Sequence, residues 1–403
     1  MPSEHARHWP LDPRVDFLNH GSYGAAPRVV LEAQATWRLQ LEQEPVRFLV
    51  EQLEPALDDA RAAVGTFVGA GADDLAFVTN ATTGVNTVLR SLRFASGDEL
   101  LTTDHEYNAV RNALDYVAAR DGARVVVAEV PFPIESPEAV VSAVIGAVTP
   151  RTRLAVLDHV TSATALVLPV ATLVGALAER GIDTLIDGAH APGMVALEVA
   201  GLGTAYYTGN LHKWVCAPKG AAFLWVRPNR QDRIRPLVIS HGANSPRGDR
   251  SRFRLEFDWL GTTDPSAWLA TPAAIEFGAT LLPGGWPALR ERNRELVLEA
   301  RAMLASALDA APGAPDTMIG SMASLPLGWE AKLGTDRDLD LYGDRIHGAL
   351  LAAGFQTMLA PWPQRPQGRR WQRLLRLSAA AYNDRAQYER LSAVLPEILA
   401  AAA

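Results

Sequence analysis

The chain has 403 residues, enough for two domains or for one large domain with an appended lobe. Its composition, 48% hydrophobic and 21% charged, is that of an ordinary soluble core, and its net charge of −7 excludes a broad phosphate-seeking surface for nucleic acid. A single cysteine, Cys216, excludes an intramolecular disulfide framework and a cysteine-built zinc site.

Met1 to Pro13 is polar and has no apolar signal core, so a cytoplasmic location is the expectation. Val15 to Asn19 is a short apolar run that ends in a turn-rich segment, Asn19-His20-Gly21-Ser22-Tyr23-Gly24. Pro27 stands at the first-turn position of a helix from Arg28 to about Gln43, Pro45 stops it, and Glu54 to Val68 begins another. Leu75 to Val78 reads as a strand, and Thr79 to Gly84 leads into a helix from Val85 to Leu92. A strand, a loop of small hydroxyl residues and a helix start form an anion site, with Thr82 or Thr83 as a plain N-cap the competing reading.

Further strands are expected at Glu99 to Thr102, Arg124 to Val130, Arg153 to Leu157 and Ile182 to Ile186. Helices ending at Arg120, covering Pro137 to Val148, and covering Val170 to Arg180 separate them. The longest continuous apolar stretch, Ala139 to Val148, is too short to span a bilayer. Strands alternating with helices imply parallel pairing and a doubly wound layered sheet, whose ligand sits outside the carboxyl ends of the strands.

The chain is organised around Asp183 to Gly220. Two apolar runs there end on polar groups, Asp187 and His190 after the first, His212 and Lys213 after the second. An acid and a lysine at strand ends suit a pyridinium cofactor, the acid holding the ring nitrogen protonated and the lysine forming the Schiff base. Only three lysines occur, Lys213, Lys219 and Lys332, and His105, His159, His190 and His212 all fall immediately after expected strands.

Ala221 to Val226 is a further strand, and Arg233 to Leu260 has no clear period and reads as a loop-rich excursion carrying Arg247, Arg250, Arg252 and Arg254. A helix runs to Leu282, and Trp286 to Ala310 is a long charged-faced helix. From Met318 a second, smaller α/β lobe follows: a strand to Leu327, a helix from Leu339 to Ala353, strands Phe355 to Leu359 and Leu374 to Ser378, and a helix from Arg385. A large domain over 16–285 and a small C-terminal domain over 286–403 are expected, with residues 1–15 packing on the latter.

Six segments carry a resemblance: Phe17 to Gly24, Thr103 to Asn108, Asp158 to Thr164, Asp187 to His190, His212-Lys213-Trp214 and Arg376-Leu377-Ser378. In this order they resemble the class V aminotransferase family of pyridoxal-phosphate enzymes on the type I fold, in its isopenicillin N epimerase-like branch. The resemblance runs from about Asp16 to the C-terminal helix. It implies a three-layer α/β fold, with a mainly parallel seven-stranded sheet in the large domain and a smaller C-terminal α/β domain. It further implies pyridoxal 5′-phosphate as cofactor and a homodimer with active sites at the subunit interface.

Carried over residue by residue, the resemblance makes Lys213 the Schiff-base lysine and Asp187 the partner of the pyridinium nitrogen. His190 would hydrogen-bond the ring hydroxyl, and His105 would lie against the ring face, with Tyr107 the competing candidate. Thr82, Thr83, His212 and Asn210 would bind the phosphate, completed by Gly261-Thr262 of a neighbouring subunit. Arg376 would take the substrate carboxylate as a bidentate fork, with Asn19 and Arg47 as further candidates for the same group. Lys219 and Lys332 read as solvated charges. The family's cysteine desulfurases use a cysteine on a mobile loop of the C-terminal half, and this chain has none there.

The expected activity is therefore proton chemistry at the Cα of an amino acid, epimerase-like in outcome. A C–S β-lyase acting on a cysteine derivative and an aminotransferase are the alternatives within the family. From other classes come a metal-dependent hydrolase using His105, His159, His190 and His212 with Asp187, and a binding protein without catalysis. The first lacks His-x-His or His-Glu-x-x-His spacing and leaves Lys213 and Arg376 without roles. Retention of the lysine and aspartate speaks against the second.

Overall fold

Side-chain alternation along short apolar runs accounts for the architecture of the computed structural model, which describes residues 3–330, 344–365 and 371–402. After a two-residue strand, β1 (Asp16–Phe17), come β2 (Leu75–Val78), β3 (Glu99–Thr103), β4 (Arg124–Ala128), β5 (Thr152–Asp158), β6 (Asp183–Gly188), β7 (Tyr206–Asn210) and β8 (Ala222–Val226). The last seven form one sheet in the order β2-β8-β7-β6-β5-β3-β4. Its pairs are parallel except those of β8 with β2 and β7.

Both faces of this sheet are covered. Leu154, Val156 and Leu185 pack with Val110 and Leu114 of the helix Asn108–Asp121 on one side. Ala155, Leu157 and Ile186 pack with Leu173 and Leu177 of the helix Val170–Ala178 on the other. Helices on both faces of a mostly parallel sheet give the three-layer α/β arrangement that the alternating pattern implies. In register, Asp158 of β5 lies beside Asp187 of β6. The period of two sets both on the face of Val156 and Leu185, at the carboxyl ends of the strands.

A second sheet is built from β9 (Met322–Glu330), β11 (Met358–Trp362) and β12 (Trp371–Ser378), antiparallel in the order β11-β12-β9, while the short β10 (Phe355–Gln356) pairs in parallel with β1. The amino-terminal segment is held by Trp9, whose ring meets those of Tyr382 and Phe277 edge-on at 5.2 and 5.3 Å. The long helix Gly285–Leu308 packs against the helix Arg385–Ala402 and β9.

Two local expectations are corrected, at the helix after β2 and in the excursion after Arg233. The first helix does end at Gln43, ahead of Pro45, and Pro45 then opens a further turn, Pro45–Arg47, that continues through a wide turn at Phe48–Gln52 into the helix Leu53–Val68. Proline needs no N–H at a first helical position, so it starts a helix as readily as it stops one. The helix after β2 begins at Ala81, four residues earlier than expected, and its N-cap is Asn80, not Thr82 or Thr83. The excursion between Arg233 and Leu260 contains a helix, Arg252–Asp258, capped by Ser251.

That helix and the residues leading into it are pinned to Leu53–Val68 by ion pairs, Arg250 to Asp58 at 2.6 Å, Arg247 to Glu54 at 2.8 Å, and the close pairs of Arg61 with Asp258 and Arg254 with Asp58. Of the helix expected over Leu339–Ala353, Arg345–Ala352 is described. The expected start at Leu339 and Lys332 lie outside the described residues.

Candidate active site

The carboxyl ends of β5, β6 and β7 open into a cavity of ≈ 290 Å³, lined among others by Asp158, Asp187, His190, Asn210, His212, Lys213 and Arg376. Lys213 stands in the loop after β7, and its main chain is clamped there. His20 donates from Nε2 to the Lys213 carbonyl at 2.9 Å, and a Cβ on Gly24 would come within 2.5 Å of that same oxygen. The turn Asn19 to Gly24 thus carries a glycine because the backbones touch. Lys213 Nζ lies 3.1 Å from His190 Nε2. Burial, with the Arg376 charge adding to it, pushes the Lys213 ammonium down to about 7 against the opposing pull of Asp187 and Asp158. Such an amine is substantially unprotonated at neutral pH and is a nucleophile toward an aldehyde.

Asp187 is buried and accepts a hydrogen bond from the Ala189 amide at Oδ1, 2.8 Å. Burial raises its pKa, opposed by that amide and by Lys213. Burial and the Lys213 charge hold His190 well below the usual imidazole range, so it is neutral. His212 is lowered to about 4 for the same two reasons, and its Nδ1 donates to the Ala221 carbonyl at 2.9 Å.

The helix start beneath the cavity is shaped by two asparagines. Asn80 Oδ1 accepts from the Thr83 amide and Asn210 Oδ1 from the Ala81 amide, both at 2.8 Å. Thr82 lines the cavity. Thr83 does not: its hydroxyl meets Thr79 Oγ1 at 2.9 Å and Asn80 Oδ1 at 3.0 Å.

Arg376, on β12, is 1% exposed and reaches the cavity from the second sheet. Its guanidinium donates to the Ser162 carbonyl at 2.8 Å, to Ser22 Oγ at 2.7 Å and to Asn19 Oδ1 at 3.1 Å. Asn19 therefore steadies Arg376 and does not itself line the cavity. Ser22 and Ser162, neither singled out from the sequence, share that work. They lie in the segments Phe17 to Gly24 and Asp158 to Thr164, but nothing in the local pattern says which residue of each faces the arginine.

Several expected site residues are not brought to this cavity. His105 is buried behind it, its ring nitrogens taken by Thr164 Oγ1 at 2.7 Å and the Val130 carbonyl at 3.0 Å, its ring 4.3 Å from that of Trp362. Tyr107, two residues on, lines the cavity. Arg47 points to solvent and pairs with Glu44 at 3.1 Å and Glu51 at 3.8 Å. Thr262 is exposed and outside this chain's cavity.

The arginines of the 233–260 excursion are spent on the ion pairs to Asp58, Glu54, Asp258 and Glu256, not on the cavity. Lys219, though exposed, donates to the Gly24 carbonyl. Burial pushes the Cys216 thiol up to about 12, leaving it a poor nucleophile.

The histidine metal centre is not assembled. His105 and His212 hold backbone carbonyls, and His159 Nδ1 pairs with Tyr207 Oη at 2.9 Å. Among the described residues one acidic and histidine cluster has ligand-like spacing, Glu106, Asp158 and Asp187, and it contains no histidine. Pyridoxal phosphate fits the residues present. Asp158 Oδ2 and His190 Nδ1 are buried without a hydrogen-bond partner at the edge of a cavity that also holds a low-pKa lysine. A ring oxygen would answer His190 Nδ1, and a cationic ring nitrogen beside Asp187 would bring a positive charge toward the carboxylates there.

The sequence profile of the family described as Aminotransferase class-V matches residues 25–312. An isopenicillin N epimerase of Amycolatopsis lactamdurans is 37% identical over 404 residues, covering 96% of each chain. A putative L-cysteine desulfhydrase 2 of Oryza sativa subsp. japonica is 34% identical over 362 residues, covering 85% of this chain and 73% of its own. A solved structure of a C-DES mutant, with glycine covalently linked to its PLP cofactor, superposes with a TM-score of 0.79 at 20% identity, covering 96% of this chain and 98% of that one. At that identity the likeness concerns the fold alone, which is the type I fold. With the family profile spanning most of the chain, the protein belongs to the class V aminotransferase family and is a pyridoxal-phosphate-dependent enzyme.

Proposed function

We propose that the protein exchanges the Cα proton of an amino acid so as to invert that centre, as an epimerase or racemase. The observation that carries this reading is the convergence of Lys213, Asp187 and Arg376 on one cavity from three separate strand ends. The cofactor, when bound, supplies an aldehyde that links to an amine and a ring that withdraws electrons from Cα. Lys213 Nζ would hold that aldehyde, would yield it to the substrate's amino group, and as the freed amine would take the Cα proton, with a proton from cavity water returning to the other face. Asp187 holds the proton on the ring nitrogen. His190 orients the ring oxygen, Tyr107 covers the ring face in place of His105, and Thr82, His212 and Asn210 hold the phosphate end. Arg376 binds the substrate carboxylate through its fork, kept in aim by Ser22, Ser162 and Asn19.

The active unit in this reading is a homodimer. Val46 and Val50, and the run Leu237 to Ile239, are exposed apolar residues that a second copy would cover. Thr262 of that second copy completes the phosphate site, and Arg47 faces the substrate across the interface. A cytoplasmic location and a division into domains at 16–285 and 286–403 belong to the same proposal. No described helix is long and apolar enough to cross a membrane.

A second reading, a C–S β-lyase on a cysteine derivative, is favoured by the likeness to the desulfhydrase, and the same residues would serve it. Incubation of the holoenzyme with candidate amino acids in heavy water separates the outcomes. Appearance of the Cα-deuterated D-isomer supports epimerisation, pyruvate with sulfide the lyase, and a 2-oxo acid transamination. Purified protein that takes up no pyridoxal phosphate, shows no borohydride-trapped Lys213, and still converts its substrate would overturn the proposal.

A further inference from the structure

At the edge of the cavity lies a cluster of three carboxylates of which the roles above use only Asp187. Glu106, Asp158 and Asp187 are 4%, 3% and 2% exposed, and each offers a carboxylate oxygen within 4.8 Å of the others. Asp158 and Asp187 are register partners on adjacent parallel strands, and Glu106 comes from the loop after β3. Hydrogen bonds hold Glu106 in place: Thr102 Oγ1 donates to Oε2 and the Tyr107 amide to Oε1, both at 3.1 Å. Asp158 Oδ2 is buried with no partner.

Burial combined with mutual repulsion raises the pKa of Glu106 and of Asp158, Glu106 feeling Asp187 and Asp158 feeling Glu106. The cations that face the cluster are Lys213, toward Asp158 and Asp187, and Arg111, toward Glu106. The Tyr207 phenol beside Asp187 is itself pushed well up by burial and that carboxylate, so it stays neutral. Buried carboxylates this close do not all ionise at ordinary pH.

We propose that Glu106 and Asp158 share one proton and act as a paired positioning group for Asp187, keeping one further negative charge beside the ring-nitrogen site and no more. The proton can reach them without crossing the main cavity. Glu106 also lines a second, smaller cavity of ≈ 130 Å³ on the β3–β4 side, with Arg111 and Arg365 on its wall. This inference rests on the proposed function, because it assigns the pair to the carboxylate that holds the cofactor's ring nitrogen.

The pairing predicts non-additivity. Glu106→Gln and Asp158→Asn each replace one member by a neutral isostere, and the remaining carboxyl then ionises, so the total charge is unchanged. Each single variant is expected to bind pyridoxal phosphate within about threefold of wild type, whereas the double variant loses the charge and binds at least about tenfold more weakly. Infrared difference spectra of the holoenzyme between H2O and D2O report the shared proton directly. The carbonyl stretch of a protonated carboxylic acid is expected in wild type and absent from either single variant. Circular dichroism identifies any variant that fails to fold, and the infrared band in wild type is decisive without any variant.

Two single losses that add up in the double variant, with no such band in wild type, would mean that both groups are ionised. A double variant that binds as wild type would mean that both are neutral. Either result overturns the inference while leaving the lysine chemistry intact. Wild-type protein that takes up no pyridoxal phosphate would overturn the proposed function, and this inference with it.

Discussion

At the scale of single residues, the site depends on what burial does to charge. Lys213 sits at about 7 because it is desolvated beside Arg376, so its amine is free above that pH and protonated below it. We expect cofactor-free protein to capture pyridoxal phosphate at a rate that is level above pH 7 and falls by about tenfold per unit below it. Stopped-flow absorbance measures this, and a rate unchanged down to pH 5 would contradict the buried setting of the lysine. Arg376 is a second case. Its fork is oriented by two serines and an asparagine, a geometry that an ammonium cannot reproduce. Arg376→Lys is expected to raise KM by about tenfold or more, since a hydrogen bond to a charged group is worth roughly 1.5–3 kcal/mol. A steady-state KM within twofold of wild type would remove Arg376 from carboxylate binding.

At the scale of elements, the short helix Arg252–Asp258 shows how charge can set a backbone where apolar periodicity is weak. Phe253 and Phe257 are buried under the first sheet, yet the helix is held to Leu53–Val68 largely by Arg61, Arg250 and Arg254 around Asp58 and Asp258. Arg61 is 1% exposed, so it tolerates no loss of its acids. We expect Asp258→Ala to lower unfolding free energy by about 1.5–3 kcal/mol, because buried Arg61 loses one charged hydrogen bond while keeping Asp58 at 2.9 Å. Urea denaturation checks it, and a loss below 1 kcal/mol would show that the network is solvated after all.

At the scale of the whole molecule, exposed Val46, Val50 and Ile239, at 77%, 74% and 60% exposure, are out of place on a monomer's surface. If a second copy covers them, Val50→Glu with Ile239→Lys should shift sedimentation equilibrium from dimer toward monomer. Cofactor retention should weaken with it, since each phosphate site would lose its Thr262. Wild-type protein that sediments as a monomer and still holds its cofactor would rule out a shared site.

The alternation of apolar runs and helices was enough to establish a mainly parallel layered sheet, and strand ends rich in Asp, His and Lys marked the edge where the site had to lie. Lys213, Asp187 and His190 stood out as candidates because each follows an apolar strand, whereas Arg376 was reached only through the family resemblance, since an ion pair in the small lobe accounts for an arginine there equally well. His105 and Tyr107 were not separable, because adjacent loop residues differ in direction and a linear pattern carries no direction outside a regular element. The same limit hid Ser22 and Ser162 behind Arg376 and placed Asn19 at the cavity instead of behind it.

Glu106 escaped notice for a different reason: its significance is its distance to Asp158 and Asp187, which come from two other segments of the chain. Residue type and local period are properties of the linear chain. Which way a loop turns, and which charges end up sharing one dry space, are properties of the packed sheet, because both depend on contacts between segments far apart in the chain.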